Sequence, residues 1–136
     1  FLVLKASGNV GIGTPSPDSK LTVNGTIHSK EVKVDLNGSL APDFVFDESY
    51  DLRSLEDTEA YISENKHLPG IPSAIEMEEN GLMLKEMNLK LLQKVEELTL
   101  HLIEQNKVNV SQQENIKTLS EEVTKLKKQI SEVYKR

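Results

Sequence analysis

Apolar residues recur in alternating steps of three and four along the last two-fifths of the chain. Written as heptads, the a positions are Val95, Leu102, Asn109, Ile116, Val123 and Ile130, and the d positions are Leu98, Gln105, Gln112, Leu119, Leu126 and Val133. Six heptads of this kind, with no Pro or Gly after Gly81, predict a coiled-coil helix over 82–136. At 1.5 Å per residue it spans on the order of 80 Å, too long for one small domain to bury. The seam therefore needs further helices of its own kind. Upstream, Leu84, Met87, Leu91 and Val95 are spaced 3-4-4, a stutter that predicts local unwinding. Leu92, Leu100 and Ile103 widen the apolar stripe there, enough to receive a segment folded back onto the helix.

Three polar layers interrupt the seam at Gln105, Asn109 and Gln112. Core amides lower stability but penalise slipped registers and unequal partners. A bound anion or a string of water on a three-fold axis is the alternative use. Glu122 at g and Lys127 at the following e are placed to bridge neighbouring helices. The β-branched a and Leu d positions of the later heptads favour two strands, whereas the beginning of the chain argues for three.

That beginning, residues 1–41, reads as short strands and turns. Gly8, Gly11, Gly13 and Gly25 punctuate it, with Pro15 and Pro17 between, and brief apolar alternations follow at Leu21 and Val23, then Val32, Val34 and Leu36. Asn24-Gly25 and Asn37-Gly38 are signals for tight turns with positive φ at both central positions. A hairpin on the first would pair Leu21–Val23 with residues 26–28. Strands this short are marginal alone, which points to other copies of the chain as partners. The glycine-rich GNVGIGTP is read as turn-forming, since no Lys-Ser/Thr follows and Pro15 and Pro17 block a phosphate-binding helix start. Asn24, Asn37 and Asn109 match a glycosylation sequon, and the first two are turn dipeptides.

Residues 42–81 form an acidic cap-like unit. PDFVF brings Phe44 and Phe46 together, where a small core is expected. Ser54 and Asp57 resemble a capping box that opens a helix over 54–66, with Leu55, Tyr61 and Ile62 on or near one face. The HLPGIP corner, carrying Leu68 and Ile71, ends it because two prolines within four residues impose an extended, stiff path. Asn80-Gly81 makes the last turn before the long helix.

Composition narrows the function classes. Aromatics are 4% of 136 residues, too few for a compact enzyme with a substrate pocket, and the absence of cysteine removes disulfides, thiolate catalysis and cysteine-ligated zinc. The net charge of −6 argues against nucleic acid or an anionic membrane as partner. Charge is uneven: +2 over 1–30, −10 over 31–80 and +2 over 81–136. No apolar run approaches the ~20 residues of a membrane helix. The thirteen acids of the middle segment guarantee close carboxylate pairs, so a pair there says nothing about glycosidase chemistry. His28, His67 and His101 lie in different segments without metal-ligand spacing, so neither metal nor cofactor is expected. A start at Phe1 without Met suggests a piece of a longer protein.

GNVGIGTPSPDSKLTVNGTIHSKEVKV resembles the repeated shaft-to-head element of bacterial and phage tail-fibre proteins. The stretch from PDFVF through HLPGIPSA to EELTL resembles a C-terminal module of tail-fibre-like proteins in Bacteroidetes, over residues 8–107 in all. That module is distantly similar to the intramolecular chaperone domain ending endosialidase tail spikes. The resemblance implies a homotrimer at the tip of a fibre, in a phage, an injection device or a surface appendage, with the C-terminal helices setting the register of the shaft upstream. Its implied setting is extracellular or particle-associated, and its implied partners are the upstream shaft and a cell-surface receptor. In the chaperone family a Ser-Asp junction with a downstream Lys cuts the domain free. Here Ser29 is followed by Lys30, a departure at the decisive residue, and the polar surroundings offer little to lower a lysine pKa.

Together these readings predict an α+β chain: short N-terminal strands, an acidic cap at 42–81 and a parallel trimeric coiled coil at 82–136. The expected role is structural, with the a and d residues carrying assembly and Phe44, Phe46, Leu55, Tyr61, Ile62, Leu68 and Ile71 packing the cap. A self-cleaving chaperone and a receptor-binding tip are the rivals.

Overall fold

A computed structural model describes residues 1–135. The fold is α+β, a small three-stranded sheet followed by helices that end in one very long one. The chain divides into two compact units, one of residues 1–35 and one from Leu36 onward.

In the first unit, β1 (Leu2–Leu4), β2 (Val10–Ile12) and β3 (Leu21–Val23) form a sheet in the order β1-β2-β3. β1 and β2 are antiparallel, with Val3 opposite Gly11, and the turn between them closes through the Gly8 N–H on the Lys5 carbonyl at 2.8 Å. β3 runs parallel to β2, pairing Val10 with Leu21 and Ile12 with Val23. Parallel neighbours usually need a crossover of about a dozen residues or more, and residues 13–20 are a short one. Two features permit it. Gly11 is buried beneath the returning loop, and a Cβ there would press on the Thr14 carbonyl oxygen. The far end is locked by the Thr22 hydroxyl, which donates to Asp18 at 2.7 Å and accepts from the Ser19 N–H at 3.2 Å. The same hydroxyl holds the Asp18 carboxyl below its usual range.

The hairpin expected on Asn24-Gly25 does not form. Asn24 keeps a negative φ, its N–H continues the ladder onto the Ile12 carbonyl at 2.9 Å, and residues 26–28 are irregular. Asn24 thus extends a parallel pairing instead of reversing the chain. Val32, Val34 and Leu36 likewise lie in exposed, irregular chain. Asn37-Gly38 does turn as expected, with φ of 47° and 82° and the Ser39 N–H on the Leu36 carbonyl at 3.0 Å.

In the second unit a 3-10 helix, Pro42–Phe46, packs against the long helix. α1 (Leu55–Asn65) begins at Ser54, whose hydroxyl accepts the Asp57 N–H at 3.0 Å, and ends on Lys66 in the left-handed region. The HLPGIP corner is a turn, closed by the Ile71 N–H on the Leu68 carbonyl at 3.1 Å, with Gly70 at φ 79°. Next comes α2 (Ala74–Asn80), an element the apolar pattern did not suggest. Its signal was polar: Ser73 and Glu76 form a full capping box, and the Ser73 N–H reaches the Glu76 carboxylate at 2.7 Å. α3 (Leu84–Val133) then runs unbroken for 50 residues, about 75 Å, straight through the stutter.

Candidate assembly surface

The cap divides the upper part of α3 into two faces. Leu89, Gln93, Glu96, Glu97 and Leu100 are buried or half-buried, whereas Leu91, Val95, Leu98 and Leu102 are exposed. At 3.6 residues per turn the centres of the two rows lie about 175° apart. The cap therefore sits mainly on the back of the helix and borders the heptad seam only at Leu98, which stays 56% exposed. Leu100 joins the covered face, but Leu92 and Ile103 remain exposed, so the cap takes up only part of the extra apolar width.

At the base of the cap is Val45, 1% exposed, together with buried Pro42. This corrects the expectation that Phe44 and Phe46 anchor it. An extended PDFVF would send both phenylalanines to one face, but a 3-10 helix has three residues per turn and aligns Pro42 with Val45. Phe44 is displaced sideways onto Tyr50, ring centroids 5.9 Å apart, and Phe46 is exposed. Of the other expected packing residues, Tyr61 and Ile71 are half-buried while Leu55, Ile62 and Leu68 are exposed. Tyr61 is held between the Arg53 guanidinium at 5.6 Å and the edge of His67 at 5.5 Å. The His67 Nδ1 donates to the Leu68 carbonyl at 3.1 Å, which fixes the ring at the helix end. Leu55, Leu68 and Pro69 face Lys94, Leu98 and His101 across a cleft of about 80 Å³.

A polar cluster fastens the cap to α3. The Tyr50 phenol donates to Glu97 Oε1 at 2.6 Å, the Gln93 amide donates to the same oxygen at 2.9 Å, and the Lys94 ammonium meets Oε2 at 2.6 Å. Burial alone would raise the Glu97 pKa, but these three donors outweigh it and hold the carboxyl below its usual range. Tyr50 is pushed the other way, by burial and by the carboxylate beside it. Neighbouring Glu96 is 8% exposed, its Oε2 has no partner among the described residues, and burial together with Asp43 raises its pKa. None of these residues was legible as functional. Glu96 falls at an outward heptad position that reads as solvated, and Tyr50 reaches the helix only through the tertiary fold.

Below the cap every predicted seam residue is exposed: Gln105, Asn109, Gln112, Ile116, Leu119, Val123, Leu126 and Ile130, as far as Val133 at 71%. The Gln105 amide donates to Asn109 Oδ1 at 2.9 Å along the helix, so these two layers are paired within one chain. Ser29 and Lys30 are both exposed in irregular chain, where a lysine amine stays fully hydrated. Among the described residues no cluster of three or more metal-ligating side chains occurs, and no helix is long and apolar enough to cross a membrane. No family model, curated protein or solved structure matches this chain.

Proposed function

We propose that this chain is a non-enzymatic trimerisation and capping module of a fibre protein, of the tail-fibre type its sequence resembles. The observation that carries the reading is that a single copy builds almost no core. Apart from Pro42 beside it, Val45 is the sole buried apolar side chain among the described residues, while the heptad row stands in solvent from Leu91 to Val133. Exposed apolar area so extensive and continuous marks an association surface. A cap that docks mainly on the back of α3, bordering the seam only at Leu98, leaves most of that surface free. The apolar side of the sheet, formed by Leu2, Leu4, Val10, Ile12, Leu21 and Val23, gives the first unit the same need of partners.

Mechanistically, three helices join first along residues 95–133. Their union turns strand association from a trimolecular event into an effectively intramolecular one and lowers the entropy cost of the non-local β contacts. Gln105, Asn109 and Gln112 act as the register lock, exchanging the pairing along one helix for pairing around the axis. Light scattering on the purified chain tests the reading. A mass near three times 15.2 kDa is expected, and a folded monomer at micromolar concentration overturns it.

A further inference from the structure

The pairing of β2 with β3 has a fixed offset: Val10, Gly11 and Ile12 lie beside Leu21, Thr22 and Val23, eleven residues on. The apolar-x-apolar pattern recurs once more at the same interval, as Val32-Lys33-Val34, and the links 13–20 and 24–31 are equal in length. β3 ends the sheet, so its outer edge offers a third place in this series. In a single chain the place is not taken, and residues 32–34 lie exposed.

The reason lies one residue into each strand. The first return loop folds tightly over Gly11, where a Cβ would strike the Thr14 carbonyl oxygen. The equivalent loop after β3 would have to fold over Thr22, eleven residues later. Thr22 has that Cβ, and its hydroxyl is already committed to Asp18 and Ser19. The link 24–31 also lacks the prolines that bend 13–20. The chain is thus obstructed from laying its own third strand on β3. A second copy meets no such obstruction, because no loop must pass over Thr22.

We propose that Val32–Val34 of a second copy of this chain adds to the free edge of β3 as a parallel strand, pairing Val32 with Leu21, Lys33 with Thr22 and Val34 with Val23. In this register Val32 and Val34 extend the row of Val10, Ile12, Leu21 and Val23 on one face. Lys33 falls on the other face beside Thr22, whose hydroxyl holds the Asp18 carboxylate. The pairing also ends the exposure of an unprotected strand edge. Repeated around three chains, it links each to the next. The inference rests on the trimer reading.

The chain has no cysteine, so cross-linking is unambiguous. Two differently tagged full-length chains, one Val23→Cys and the other Val34→Cys, are refolded together and treated with a short bis-maleimide. The mass of the assembly is measured alongside. A cross-linked pair of unlike chains is expected. It should exceed on the order of tenfold a control with Leu2→Cys, on the opposite edge, in place of Val23→Cys, because tethering within an assembly raises local concentration to the millimolar range. A double variant, Val23→Cys with Val34→Cys in one chain, separates the alternatives. Cross-linking confined within single chains overturns the proposal, as does an intact trimer with no cross-link above the control. A monomeric mass overturns the trimer reading together with it.

Discussion

The Tyr50 phenol and the Glu97 carboxylate, 47 residues apart, share a 2.6 Å hydrogen bond on the side of α3 away from the heptad seam. This bond and the burial of Val45 hold the cap against that side of α3. Tyr50→Phe keeps the ring against Phe44 and removes only the donor to a charged acceptor. A loss of about 1–2 kcal/mol in cap docking is expected. Hydrogen exchange resolved along the chain would show faster exchange over residues 42–81, with the assembly mass unchanged.

Glu96 and Glu97 give the cap opposite responses to acid. Glu97 titrates below its usual value in the folded chain, so its contribution is present at neutral pH and lost as pH falls through that lowered value. Glu96 titrates above its usual value, because burial and Asp43 penalise its charge. Its ionised form opposes docking at neutral pH, and proton uptake removes the penalty as pH falls toward 4.5, the ordinary carboxylate value. Cap stability is therefore expected to rise on mild acidification and then fall. Glu96→Gln should raise stability at neutral pH and abolish the rise while preserving the fall, as read from denaturation midpoints across pH.

What the sequence disclosed follows from how far its signals reach. The long helix α3, the Ser54 cap and the Asn37-Gly38 turn rest on repetitive or strictly local signals, and all appear close to where they are expected. The strand pairing departs from the hairpin signal at Asn24-Gly25 because it depends on Gly11, whose missing Cβ makes the parallel return possible. Size alone points to Phe44 and Phe46 as the cap anchor, yet the 3-10 geometry chooses Val45, the residue in line with Pro42. α2 has only a polar pair, Ser73 and Glu76, as its marker, with little apolar periodicity behind it. The Tyr50–Glu97 contact had no local signal at all.

Val45 and Phe46 offer a direct comparison. Val45→Ala removes packed methyl groups from the buried base of the cap and is expected to cost roughly 2 kcal/mol. Phe46→Ala deletes a far larger but exposed ring and is expected to cost less. Proteolysis kinetics of the cap measure both, and the reverse ranking would mean that Phe46 is the anchor.

Gly11 and Gly8 separate steric from conformational demands in the sheet. Gly8 has φ 81° and only the flexible Lys20 ammonium near its missing Cβ, so Gly8→Ala meets backbone strain of about 1 kcal/mol. Gly11→Ala places its Cβ against the Thr14 carbonyl, which is backbone and cannot swing aside. It is expected to open residues 13–20 and separate β3 from β2. Exchange rates of the Val10 and Asn24 amides, whose bonds to the Lys20 and Ile12 carbonyls span that pairing, report the difference.

Leu119 and Leu126 stand at successive d positions, both exposed in the single chain and remote from the cap. Replacing both with Asp would bury two charges per chain in any helix association, a cost several times the roughly 1.5–3 kcal/mol each leucine contributes when buried. Assembly is expected to disappear at micromolar concentration. On the proposed helix-first assembly, the sheet of residues 1–35 is expected to lose exchange protection in the same variant. The cap is expected to keep its Tyr50–Glu97 contact, since that contact lies within one chain. A double variant that scatters as a monomer yet retains protection at Val10 and Asn24 would show that the sheet folds without partners, and the helix-first order of assembly would be wrong.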